Sequence, residues 1–213
     1  MIRLSIRNKR YFSIKSQRGM KIPIDSLKKG DKIEDFVIID KKEFKDFDIT
    51  GYSLSHINTN LKLHHFDSKD TNNSFAFHFN TPAYDSTGVF HILEHLTLAG
   101  SNKYQERDPF FKMVKRSLKT YMNAWTGNDF TMYPFATANS KDYNNLREVY
   151  YNSVFHPKLN YYDFLQEGWR LESLVHSIEQ ANQNLELVYN GVVLNEMKGA
   201  MISPDTQFIS SMY

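Results

Sequence analysis

Hydrophobic and polar positions alternate with two different periods along this chain. Ser74 to Phe79 sets Phe75, Phe77 and Phe79 against Ala76 and His78, the period-2 pattern of a half-buried strand. Phe36-Val37-Ile38-Ile39 predicts a short strand, followed by a polar connection from Lys41 to Asp48. Gly51 to Ile57 and Leu61 to Phe66 predict two strands joined across Asn58-Thr59-Asn60, and Thr120 to Thr126 and Phe130 to Ala136 two more around Gly127-Asn128-Asp129. The period then lengthens. Residues 140–154 and 160–175 carry helical spacing, with Tyr143, Leu146, Val149, Tyr150 and Val154 on one side and a break at His156-Pro157. A polar loop rich in Gln and Asn follows from Val175 to Leu185, and Tyr189 to Met201 is the last helical stretch.

Two helices are expected in the middle of the chain. Thr87-Gly88 starts one that Val89, Phe90, Ile92, Leu93, Leu96 and Leu98 bury and that Gly100 ends as a C′ glycine. Asp108-Pro109, an N-cap followed by proline at N1, opens the other through about Lys119, with Phe110, Phe111, Val114 and Leu118 as its apolar residues.

The first of these helices contains His91-Ile92-Leu93-Glu94-His95. H-x-x-E-H is the inverted form of the zinc-peptidase helix motif. Positions i and i+4 share a helix face, so His91 and His95 can address one metal ion, and Glu94 can reach a water bound to it. Two neutral imidazoles leave coordination positions open, the metal brings its water to a pKa of roughly 7, and the carboxylate moves the proton. The bland alternatives are a chance match or a solvated face. Polar ligands in an otherwise apolar helix are not a solvated face.

Composition narrows the chemistry. At 213 residues, 41% apolar and 15% aromatic, the chain suits one globular domain. No run approaches the ~20 apolar residues of a membrane span. There is no cysteine, which excludes disulfides, thiol catalysis and Cys-ligated zinc and leaves His, Asp and Glu as ligands. The formal charge of +2 conceals an asymmetry. Residues 1–24 hold Arg3, Arg7, Lys9, Arg10, Lys15, Arg18 and Lys21 and no acid; the remainder has 19 basic against 24 acidic side chains, a net −5 that argues against nucleic acid as a partner.

Arg3, Arg7 and Arg10 form one helical stripe, with Ile2 and Ile6 on another. This Arg-rich, acid-free start has the composition of a mitochondrial or plastid transit peptide, and Arg10-Tyr11-Phe12-Ser13 resembles a matrix processing site. The alternative is a basic tail that binds anionic surfaces. On either reading residues 1–24 are expected to be disordered and outside the fold, and 25–213 to form the domain. Strand histidines His56, His64, His65 and His78 are given no role. Glu196, a carboxylate in an apolar stretch, needs a partner; a metal ion or a salt bridge to Lys198 or Arg170 would each serve.

Between Ser74 and Met201 the chain resembles the pitrilysin–insulinase family of inverted-motif zinc peptidases, most closely its presequence protease branch, which includes falcilysin. The resemblance rests on Asp85-Ser86-Thr87-Gly88, the His91–His95 motif, Gly100-Ser101 with Lys103-Tyr104, and Arg107-Asp108-Pro109-Phe110-Phe111-Lys112-Met113. It continues through Met122-Asn123-Ala124, Tyr133-Pro134-Phe135, Gln166-Glu167-Gly168-Trp169-Arg170-Leu171-Glu172 and Asn195-Glu196-Met197-Lys198-Gly199. It implies that His91, His95 and Glu196 are the Zn2+ ligands and Glu94 the general base. It places Leu98, Phe110, Phe111 and Val114 in a pocket for the residue after the cut, and Met122, Asn123 and Ala124 at a sheet edge where an extended peptide adds as a strand.

Pattern and resemblance together predict an α+β fold, a largely antiparallel sheet with helices packed on one face, like the metallopeptidase domain of pitrilysins and processing peptidases. The implied function is a zinc metalloendopeptidase of the mitochondrial matrix, or of a plastid, that degrades short unstructured peptides such as cleaved targeting sequences. Family members carry four related domains, so this chain is expected to be an N-terminal part, truncated within its domain and short of the C-terminal domains that close the chamber. The alternatives are a processing-peptidase-like subunit and a catalytically silent zinc- or peptide-binding fragment.

Overall fold

The computed structural model describes residues 2–8, 14–15, 21–22, 24–173 and 187–212. Thirteen strands and six α-helices follow one another along them. They are β1 (Ile2–Asn8), β2 (Ile14–Lys15), β3 (Lys21–Ile22), β4 (Lys32–Ile33), β5 (Phe36–Phe44), β6 (Ile49–His56), β7 (Lys62–Ser68) and β8 (Asn73–Asn80), then α1 (Val89–Leu98) and α2 (Pro109–Arg116). After these come β9 (Lys119–Met122), β10 (Trp125–Thr126), β11 (Phe130–Thr137), α3 (Ser140–Phe155), α4 (Tyr161–Glu167), β12 (Arg170–Ser173), β13 (Leu187–Asn190), α5 (Val192–Ala200) and α6 (Pro204–Ser211). The chain divides into two compact units, Met1–Ala83 with Phe110–Tyr151, and Tyr84–Pro109 with Asn152–Tyr213.

The first unit is a nine-stranded sheet in the order β10-β11-β8-β1-β7-β6-β5-β4, with β9 also paired to β11. All pairings are antiparallel except β1 with β7, and α3 covers one face, as the α+β pattern predicts. Phe75 and Phe135 pack at 5.3 Å with their rings tilted by 33°, and Tyr143 and Tyr150 of α3 lie 5.5 and 5.2 Å from Phe135. These four rings and Leu146 are all buried, and Ile24, Leu27, Ile38, Tyr52 and Leu54 form a core cluster near the β5 end.

Several boundaries differ from the expected ones. β5 runs on to Phe44 through the expected polar connection, because its backbone pairs with β6 and a bulge at Ile38/Asp40 absorbs the mismatch. The expected strand over 120–126 is split at Asn123-Ala124, where the opposing residue is Pro134. α2 stops at Arg116 because Lys119 already pairs with Thr137.

The N-terminal segment departs furthest from expectation. Ile2–Asn8 is not outside the fold: it lies between β7 and β8, paired with both. Ile2, Leu4 and Ile6 satisfy a period of 2 as well as the helical stripe does a period of 3.6, and two open strand edges favour the extended choice. The processing-site sequence Arg10-Tyr11-Phe12-Ser13 lies outside the described residues, as does the expected polar loop from Val175 to Leu185.

The second unit contains α1, α4, the β12–β13 hairpin, α5 and α6. The helix expected over 160–175 ends at Glu167, since Gly168 terminates it and Arg170–Ser173 pairs with Leu187–Asn190. Tyr189 therefore belongs to a strand, and α5 begins only at Val192. Helix α6, unforeseen, starts with Ser203 and Pro204 at its N-terminus and leaves Phe208 and Ile209 exposed. Among the described residues no helix is long and apolar enough to cross a membrane.

Candidate metal centre

Helix α1 starts from a tight turn. Asp85 accepts from the Thr87 amide at 3.0 Å and from its hydroxyl at 2.5 Å, which holds the exposed Asp85 carboxyl below its ordinary range. Gly88 then turns into the left-handed region at φ +69°, where a side chain would be strained, and its carbonyl accepts the first helical bond from Ile92. The helix is less buried than its apolar sequence predicts. Leu96 and Thr97 are buried, whereas Val89 and Leu93 are exposed.

Glu94, like Asp67 and Asp142, is a buried carboxylate, with 6% exposure. A charged side chain so placed is costly unless it has partners. It is one of the acids whose field acts on His95.

The helix spacing brings the His91 and His95 rings to 5.0 Å between centroids, inclined at 72°. Glu196 of α5 comes to both. Its Oε2 lies 3.8 Å from His91 Nε2 and 3.6 Å from His95 Nε2, and one ligand atom from each of the three lies within 4.8 Å of the others. Among the described residues these are the one group of His, Cys, Asp or Glu placed to hold a metal ion. The side chain of Glu196 is half-exposed, so burial does not force it to find a counter-ion. Arg170, the alternative partner, instead binds Glu172 at 2.6 Å.

Two glycines set the position of α5. The backbone at Gly191 is extended, which any residue could adopt, but a Cβ there would sit 2.0 Å from the carbonyl oxygen of Gly168. The end of α4 and the start of α5 thus touch backbone to backbone. Asn195 donates to Asn190, and Asn190 to Glu172 beside Arg170, tying the first turn of α5 to the hairpin before it.

One close partner of this cluster had no assigned role in the sequence. Glu167, the last residue of α4, accepts from His95 Nδ1 at 3.0 Å and is largely buried. Burial works against a charged His95, yet the Glu167 bond and the carboxylates of Glu94, Glu167 and Glu196 outweigh it and raise the imidazole above its ordinary value. The same bond to His95 lowers the Glu167 carboxyl, against the effect of burial. A signal existed in the sequence: a glutamate directly before a helix-ending glycine opposes the helix dipole by about 0.3–1 kcal/mol, so local stability does not explain it.

Of the remaining expected site residues, Leu98 lies on α1 and is partly buried. Phe110, Phe111, Val114, Met122, Asn123 and Ala124 belong to the sheet-bearing unit. Phe110 packs on Tyr150 at 6.3 Å, whereas Phe111 is 64% exposed and open to contact. The backbone of Asn123 is committed inward, its amide to the Pro134 carbonyl and its own carbonyl to the Tyr150 hydroxyl. Peptide groups alternate along a strand, so Met122 and Ala124 rather than Asn123 turn theirs to the other side.

The sequence profile of the Insulinase (Peptidase family M16) matches residues 82–201, more than half of the chain and all of the His-His-Glu cluster. The chain belongs to the M16 peptidase family. Among M16 relatives it is 49% identical over 183 residues to a Schizosaccharomyces pombe protein named mitochondrial presequence protease, covering 86% of this chain and 18% of that protein. It is 50% identical over 159 residues to the Drosophila melanogaster protein of that name, covering 75% and 15%, and 47% identical over 181 residues to the mouse one, covering 85% and 17%. The chain therefore spans less than a fifth of the length of these M16 relatives.

Proposed function

We propose that this chain carries the metal centre of a zinc metalloendopeptidase that hydrolyses short unstructured peptides, cleaved organellar targeting sequences among them. The observation that carries this reading is the convergence of His91, His95 and Glu196 within 4.8 Å in a chain of the M16 family. The donor set fits the metal. Two imidazoles and a carboxylate form the His₂Glu combination of catalytic zinc sites. Tetrahedral zinc bonds of roughly 2.1 Å would separate neighbouring donor atoms by about 3.4 Å. The Nε2–Oε2 separations of 3.8 and 3.6 Å are close to that.

Zinc bound here would polarise the scissile carbonyl and bring a bound water to a pKa of roughly 7. The chain's own groups do the rest. His91 and His95 present their Nε2 atoms as ligands. Glu94, on the same helix, takes a proton from the attacking water at its carboxylate and returns it to the leaving amine. The family resemblance, rather than the geometry, assigns Phe110, Phe111, Val114 and Leu98 to apolar contact with the residue after the cut. The strand ending at Met122 and continuing through Asn123 to Ala124 receives the peptide in extended form, Asn123 serving to anchor that strand to Pro134. Main-chain pairing of this kind tolerates many sequences.

The relatives named mitochondrial presequence protease support a mitochondrial matrix location. Fractionation of purified mitochondria tests this: recovery of the protein with the matrix is expected, and its absence from that fraction would overturn the location.

The test of the peptidase reading combines metal content with turnover. The folded chain should hold about one zinc. It should cut an unstructured basic peptide of about 20 residues into several products, a length suited to extended binding. Glu94→Gln should keep the zinc and lose the cutting. Failure of the folded chain to bind zinc, or turnover that survives Glu94→Gln, would sink the proposal. Zinc bound with no hydrolysis by the unaltered chain would reduce its role to metal binding, and a single product would indicate processing rather than degradation.

A further inference from the structure

We infer that Glu167 is a positioning residue for the metal centre: its carboxylate fixes the tautomer and orientation of His95, and Gln166 and Arg107 hold it in place. The inference rests on the zinc reading above for its purpose, although the contact itself does not depend on a metal.

An imidazole that coordinates through Nε2 must carry its proton on Nδ1, and the group that accepts from Nδ1 decides which nitrogen is left for the metal. In this chain Glu167 Oε2 is that acceptor, 3.0 Å from His95 Nδ1, and His95 Nε2 is thereby turned toward Glu196. The other carboxylate oxygen is occupied too. Gln166 Nε2 donates to Glu167 Oε1 at 2.8 Å, and Arg107 Nη2 donates to Gln166 Oε1. Arg107, Gln166, Glu167 and His95 therefore form one directed chain of hydrogen bonds whose polarity permits only the Nδ1–H form of His95 at its end.

Two further features favour positioning over local stability. Glu167 sits at the carbonyl end of α4, where a negative charge is unfavourable for the helix, so its placement has to be explained by what it touches. The next residue, Gly168, makes the backbone contact that seats Gly191 at the start of α5. One short segment thus sets both the orientation of His95 and the approach of Glu196.

The experiment compares the unaltered chain with Glu167→Ala and Glu167→Gln. The first readout is the His95 tautomer, from ring nitrogen shifts of the metal-free chain at a pH high enough for neutral imidazole. The second is zinc affinity from competition with a chelator. The unaltered chain is expected to show Nδ1–H. Glu167→Ala should mix the tautomers and weaken zinc binding by about 10–100-fold, the usual effect of losing such a partner. Glu167→Gln, whose amide oxygen can still accept from Nδ1, should keep the tautomer and bind more tightly than the alanine variant. An unchanged tautomer in Glu167→Ala would overturn the inference, whatever happens to affinity, since a packing defect could weaken binding without moving that proton. If the unaltered chain binds no zinc, the peptidase reading fails while the tautomer measurement still decides the role of Glu167.

Discussion

The Tyr150 hydroxyl lies 3.1 Å from the carbonyl oxygen of Asn123, opposite the one residue of β11 that has no amide hydrogen to give. Asn123 donates to the Pro134 carbonyl, but Pro134 cannot return the bond, and a tyrosine from α3 supplies the missing donor. Where proline breaks the ladder, a side chain from the covering helix completes it, and the edge strand stays attached on either side of the break.

This arrangement predicts the behaviour of Tyr150→Phe. The ring still fills its buried site, but a carbonyl loses its donor, so stability should fall by about 1–2 kcal/mol, measured as a shift in the urea midpoint at constant slope. Burial raises the Tyr150 phenol well above its ordinary value. An unfolded tyrosine loses its proton near pH 10, before the folded one does. The contribution is therefore complete below pH 10 and declines as pH rises from there toward the folded value. The phenylalanine variant should lose less stability than the unaltered chain between neutral pH and pH 11.

Gly191→Ala is predicted to be more damaging than an exposed helix start would suggest. Its Cβ would fall 2.0 Å from a backbone oxygen, so α5 or the end of α4 must shift. Overpacking of this kind costs about 1–3 kcal/mol. Because α5 carries Glu196, zinc affinity should drop together with the melting temperature. An alanine variant that melts and binds zinc normally would show that the close approach does not position α5.

Zinc should stabilise the fold by linkage. At a free concentration 100 times its dissociation constant, zinc adds about 2.7 kcal/mol to the unfolding free energy. The melting temperature should rise with zinc, fall with a chelator, and become insensitive to both in His91→Ala. A shift that persists in that variant would place the stabilising ion elsewhere.

Phe135 contacts Phe75, Tyr143 and Tyr150 and is 1% exposed. Phe135→Ala should cost about 3–5 kcal/mol, a large share of the roughly 5–15 kcal/mol of a typical domain, and is checked by thermal melting. By contrast Phe111→Ala, at an exposed position, should leave the melting temperature within experimental scatter, with any loss confined to peptide turnover.

Features governed by neighbours along the chain were legible before any fold was known. The alternation of Phe75, Phe77 and Phe79 marks a strand wherever it is placed, and the i, i+4 spacing of His91 and His95 puts two imidazoles on one helix face before any tertiary contact forms. Tertiary structure decided what depends on partners distant in sequence. Helical spacing continues past Glu167, but the approach of Gly191 to Gly168 and pairing with residues 187–190 turn that segment into a hairpin. Ile2–Asn8 fits a helical stripe or a strand equally well, and two strand edges select the strand. Glu196 has several possible partners along the chain and meets His91 and His95 only once α5 is seated. Glu167 was visible as part of a motif, but its purpose depends on a single hydrogen bond to a ring 72 residues earlier, which no local pattern encodes.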